Sequence, residues 1–112
     1  MDHAPLDEVL RKLNITDDEF NVITDPIKTS VLEALLSIGS HAPVRELRRR
    51  TDMEKAFRRK VGRQLLHYHL SMLVKRGYVG KAGDYYFAKP LAKQLIDKKR
   101  NLQKEIGPFI DL

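Results

Sequence analysis

QLLHYHLSMLVKRGYV, residues 64–79, is the stretch on which the reading of this chain turns. Leu66, Leu70 and Leu73 recur at four and three residues. On a helix, Leu70 and Leu73 fall within about 40° of Leu66, and Val74 lies at about 80°. That stripe faces a core. Gln64, Tyr68, Ser71 and Lys75 lie on the outer side, with His67 at one edge, and Gly77 supplies a stop. The spacing therefore predicts a helix that buries leucine and shows water a row of polar and aromatic groups. A solvated surface would not need Tyr68 there.

The same geometry separates the two histidines. Residues two apart point about 200° from one another on a helix, so His67 and His69 cannot share a metal ion. A helical two-histidine site needs a spacing of about three or four, as in HExxH, which the chain lacks. His3 and His41 are distant in sequence, and without cysteine any site would need carboxylates. A histidine–carboxylate site between subunits is the remaining alternative; no metal site is assigned. His67 is expected on the outward face with Tyr68. His69 is expected at the core margin, packing and making one hydrogen bond, with DNA phosphate as the assigned partner. No Ser-His-Asp or Cys-His order, phosphate loop or carboxylate pair stands out, so no catalytic residue, enzyme activity or cofactor is expected.

Working outward, PLDEVLRKLN places Leu6, Val9, Leu10 and Leu13 at helical spacing behind Pro5, with Asp7 and Glu8 near the positive end. Thr16 and Glu19 form a capping-box pattern ahead of Phe20 and Ile23. Asp25-Pro26 opens the clearest helix, with Ile27, Val31, Leu35 and Ile38 in line and Gly39 as its stop. SHAPVRELRRR restarts the chain with Val44 and Leu47 facing in. MEKAFRRK follows, with Met53, Ala56, Phe57 and Val61 on one side and Lys55, Arg58 and Arg59 on the other. After the 64–79 helix, YVGK and YYFA read as a small hairpin turned at Ala82-Gly83-Asp84. Pro90 opens a last helix, PLAKQLIDKKRNLQKEI, striped by Leu91, Leu95, Leu102 and Ile106.

Bulk composition bounds the function. The chain has 112 residues, 42% hydrophobic and 32% charged, which suits one globular domain with a modest core. No apolar run approaches the roughly 18 residues of a membrane span. The acidic N-terminus MDHAPLDEVL lacks the pattern of a signal peptide, and cysteine is absent, so a cytoplasmic protein without membrane contact is expected. The net charge of +6 is unevenly placed. Residues 1–44 carry three Lys/Arg against eight Asp/Glu, 45–100 carry seventeen against five, and 101–112 carry one against two. A basic middle between acidic ends fits a surface that meets a polyanion.

These features together resemble winged helix-turn-helix regulators of the arsenic-repressor type, in an archaeal-looking form. QLLHYHLSMLVKRGYV matches the family's recognition helix and first wing strand at Leu66, His67, Tyr68, His69, Leu70, Leu73, Gly77, Tyr78 and Val79. DPIKTSVLEALL is similar to its opening helix through Asp25, Lys28, Val31, Leu32 and Leu35, and VREL to the start of its second through Val44, Glu46 and Leu47. Tyr86 and Pro90 resemble the second wing strand leading into a C-terminal helix. The resemblance covers residues 25–97. It departs in the inserted MEKAFRRK, in Gly62 where the family often has a serine cap, in a short wing tip carrying only Lys81, and in lacking sensor cysteines.

The expected fold is thus mainly α with a small β-hairpin wing: a winged helix-turn-helix with extra terminal helices. One domain spans 1–112, with an N-terminal extension at 1–24, a core at 25–89 and a C-terminal helix at 90–112. The expected function is sequence-preferring binding of double-stranded DNA by a homodimeric transcription regulator, with helix 63–76 in the major groove. Arg63, Gln64, His67, Tyr68 and Ser71 would meet bases, Arg63 having a phosphate as its alternative. Arg48, Arg49, Arg58, Arg59, Lys60, His69, Lys75 and Lys81 would hold the backbone. Leu6, Leu10, Leu13, Leu91, Leu95, Leu102 and Ile106 would form the dimer interface, the alternative being that they close a monomer core. No small-molecule ligand is identifiable. The competing function is a winged-helix interaction or architectural module in a larger transcription, replication or RNA-processing assembly.

Overall fold

The computed structural model describes residues 5–50 and 63–107, with 48–50 and 63 described by their backbone. The inserted MEKAFRRK segment lies outside the described residues. Within them the chain runs α1 (Leu6–Lys12), α2 (Asp17–Ile23), α3 (Pro26–Ile38), β1 (Ala42–Pro43), α4 (Val44–Arg50), α5 (Arg63–Lys75), β2 (Val79–Ala82), β3 (Tyr85–Ala88) and α6 (Pro90–Ile106). It is mainly helical with a small antiparallel sheet. Among the described residues, no helix is long and apolar enough to cross a membrane.

Local chemistry sets most boundaries. Helix α1 ends with Asn14 in the left-handed region (φ 59°), where Ile15 N donates to Leu10 O and Asn14 N to Arg11 O. That pair of bonds is a Schellman closure, and asparagine tolerates the required φ. At α2 the capping box forms: Thr16 Oγ1 accepts from Glu19 N at 3.1 Å, and Glu19 Oε1 accepts from Thr16 N at 2.9 Å. At α3, one carboxylate oxygen of Asp25 accepts from Ile27 N at 3.0 Å and Lys28 N at 3.2 Å, while Gly39 (φ 73°) closes the far end. Helix α5 ends in a second Schellman closure, with Tyr78 N on Leu73 O and Gly77 N on Val74 O. Gly77 has φ 83°, and this turn aims the chain into β2.

The hairpin is joined by a third strand. The order is β1-β3-β2, with Ala42 opposite Tyr86 and Lys81 also opposite Tyr86. Two residues carry no alternation pattern, so β1 exists only because β3 offers it an edge. Tyr86 turns into the core, whereas Phe87 lies over Gly80, where a Cβ would collide with its ring, and against His41 at 4.5 Å between ring centroids.

One apolar cluster holds these elements together. Val31, Leu32 and Leu35 of α3 are in it with Leu47 of α4, Leu66, Leu70 and Leu73 of α5, Val79 and Tyr86 of the sheet, and Val22 and Ile23 of α2. From α6 it takes Ala92, Leu95, Ile96, Leu102 and Ile106. Within the single chain the terminal stripe takes the alternative given for it and closes the core. Leu10, Leu95, Leu102 and Ile106 are buried within the single chain, and Leu6 and Leu13 are half-buried against the same core. The stripe that suggested a partner chain is satisfied by α1, α2 and α3 instead. Leu91 alone of the seven stays exposed, at 39%.

Ion pairs reinforce that docking. Lys98 Nζ donates to Asn14 O at 2.8 Å and to both oxygens of Glu19, at 3.1 and 2.8 Å, so all three ammonium protons meet acceptors on the α1–α2 segment. Lys99 reaches Glu33 of α3 at 3.1 Å. Lys12 of α1 reaches Glu105 of α6 at 3.0 Å, an exposed pair of little energetic weight. Part of the basic segment therefore neutralises the acidic N-terminal part inside the molecule.

Candidate functional site

Helix α5 is oriented by its own leucines. Leu66, Leu70 and Leu73 are fully buried, which fixes the opposite face outward. On that face Gln64, His67, Tyr68, Ser71 and Lys75 are all exposed, Tyr68 by 57%. Met72 is half-buried, and Leu65 is exposed by 38%. Periodicity alone located the polar row. It gave no role to Leu65, which lies about 100° from Leu66 at the rim of the stripe.

Beneath this face sits a cluster that joins α5 to the start of α3. The second carboxylate oxygen of Asp25 accepts from Lys28 Nζ at 2.8 Å. The same Nζ lies 3.0 Å from His69 Nδ1 and 5.9 Å from the centroid of the Tyr68 ring. An ammonium has only protons to offer, so His69 Nδ1 is the acceptor and its ring is the neutral tautomer protonated at Nε2. The Lys28 side chain is 11% exposed, and the Tyr68 and His69 rings meet edge-on at 5.3 Å between centroids. Tyr68 is thus exposed yet held from below.

Burial lowers the pKa of His69, and the Lys28 charge lowers it further, against an opposing pull from Asp25. Burial alone would raise Asp25, but the hydrogen bonds and charge of Lys28 outweigh it and hold the carboxyl below its ordinary value. The triad is therefore carboxylate, ammonium and neutral imidazole near neutral pH.

The two histidines do separate as the two-residue spacing requires: His67 is exposed and His69 is 7% exposed. The hydrogen bond that His69 makes within the chain runs from its Nδ1 to Lys28, and the ring proton stays on Nε2. Asp25 and Lys28 match positions of the resembled family's pattern, but their contact with His69 spans at least 41 residues of chain and has only one local signal, the three-residue step from a helix-capping aspartate to a lysine.

No protein-family model, curated protein or solved structure matches the chain. The remaining assigned residues divide simply. Lys81 is exposed on the hairpin, with Nζ 5.7 Å from the Tyr86 ring centroid. Arg58, Arg59 and Lys60 lie outside the described residues, as do the side chains of Arg48, Arg49 and Arg63. Among the described residues, no group of three or more His, Asp or Glu side chains could hold a metal ion.

Proposed function

We propose that this chain is a sequence-preferring double-stranded DNA-binding regulator with a winged helix-turn-helix architecture. In this reading α3, α4 and α5 form the helical core, α5 enters the major groove, and the β2–β3 hairpin is the wing. The observation that carries the proposal is the outward face of α5. It presents Gln64, His67, Tyr68 and Ser71 side by side on a helix anchored by three fully buried leucines. Glutamine reads adenine edges, and short polar groups serve either base pair, so this row offers base-edge chemistry on a rigid support. The basic segment 45–100, in which Lys75 and Lys81 are exposed, suits the flanking phosphates.

Two chains on a two-fold site, with half-sites about one helical turn apart, remain part of the proposal. Their contact must use surface other than the buried terminal stripe. The second reading is a winged-helix module in a larger assembly, and the same burial removes the terminal stripe as its surface for a different chain. Electrophoretic mobility shift at two salt concentrations, with an enriched and a scrambled duplex, separates the two. A regulator binds the enriched duplex more tightly at both concentrations, and each phosphate contact contributes about 0.9 to the log–log salt slope. Equal binding to both duplexes supports the module and contradicts the regulator.

A further inference from the structure

The outward face of α5 carries two parallel strips. Gln64, His67 and Ser71 form a polar one, and Leu65 at the rim and Tyr68, continued by the half-buried Met72, form an apolar one, each at steps of three and four residues. Leu65 and Tyr68 are two of only four large hydrophobic side chains exposed among the described residues. On a surface built to meet bases, a leucine has no hydrogen bond to give. The apolar group on the floor of the major groove that it can meet is the C5-methyl of thymine.

We infer that Leu65 and Tyr68 read the 5-methyl group of a thymine, so that duplexes bound by α5 carry a T·A pair at a fixed place beneath this strip. The inference rests on the proposed placement of α5 in the groove. Tyr68 is suited to the task because Lys28 lies under its ring and His69 against its edge. A side chain already oriented loses little freedom when it closes on a partner. The polar strip beside it supplies the hydrogen bonds for neighbouring base pairs. Lys75, exposed on the same face, supplies the positive charge that complements the DNA.

The test begins with duplexes enriched from a randomised pool by the full chain. Each thymine of the enriched sequence is then replaced singly by deoxyuridine, which removes only the methyl group. Binding should fall about fourfold at one T·A pair per α5, the equivalent of about 0.8 kcal/mol for one buried methyl-sized group. It should not change at thymines outside the footprint. Leu65→Ala, at an exposed position, should bind the thymine and deoxyuridine duplexes equally while keeping the rest of the sequence preference. Deoxyuridine tolerated at every position, with sequence preference intact, overturns the inference and leaves the proposed function standing. So does a deoxyuridine penalty that persists unchanged in both Leu65→Ala and Tyr68→Ala. Failure to enrich any sequence overturns the proposed function, and the inference with it.

Discussion

His69 Nδ1 and Lys28 Nζ stand 3.0 Å apart, joining α5 to the start of α3 across 41 residues of chain. The contact makes the mounting of the exposed face dependent on proton occupancy. Its folded pKa lies below the 6.5 of a free histidine, so the unfolded chain binds the proton more readily. The stability that His69 contributes is complete above the unfolded value and is lost as pH falls through the folded one. The denaturant midpoint should therefore drop between pH 7.5 and pH 5, and His69→Gln should flatten the curve in that window. Parallel wild-type and His69→Gln curves would contradict this.

Lys28 should prove the centre of the cluster. Lys28→Met leaves one carboxylate oxygen of Asp25 and His69 Nδ1 without their shared donor, at a cost of about 1–3 kcal/mol. It also removes the like charge that depresses His69 while Asp25 remains. The His69 ring resonances should then titrate at higher pH by NMR than in the wild type. An unchanged titration would mean that the ammonium does not act on the ring.

Glu19 serves two structures at once, the cap of α2 and the clamp from Lys98. Thr16→Ala should cost about 1 kcal/mol in urea unfolding, the usual worth of an N-cap. Glu19→Ala should cost more, because the Lys98 ammonium also loses two of its three acceptors. Burial alone would raise Glu19, but Lys98 and Thr16 outweigh it and leave the carboxyl below 4.5. Its contribution should survive down to that pH and disappear as pH falls through the folded value. Equal costs for the two variants would show the clamp to be inert.

Most elements were legible because their signals are local. The leucine spacing of 66, 70 and 73, the Thr16–Glu19 box, the Asp25-Pro26 start and the Gly39 and Gly77 stops each act within a few residues. What was not legible depends on distant neighbours. Strand β1 exists because Tyr85 and Tyr86 offer it an edge, and no pattern in two residues announces that. The α6 stripe has the same spacing whether it faces a partner or its own core, so periodicity could not choose between them. The partner of His69 follows from Lys28 lying opposite it, a pairing that neither segment encodes alone.

The reassigned stripe makes its own prediction. Leu102→Ala should destabilise the chain by about 2–5 kcal/mol, as a fully buried leucine in a packed core does. Leu91→Ala, at an exposed position, should stay within about 0.5 kcal/mol. A stripe that held two chains together would instead give a stable, dissociated Leu102→Ala monomer in sedimentation. That outcome would reverse the core assignment.

In the proposed function, the outward face of α5 reads base sequence while flanking charges hold the backbone. The most direct measurement compares the full sequence-preference profiles of wild type, Gln64→Ala and Lys81→Ala, using one randomised duplex pool at one salt concentration. Gln64→Ala should change which bases are preferred at one or two positions, each by about 1–3 kcal/mol. Lys81→Ala should weaken every duplex alike and leave the profile unchanged. Uniform weakening by both substitutions, with identical profiles, would contradict the assignment of α5 as the reading helix.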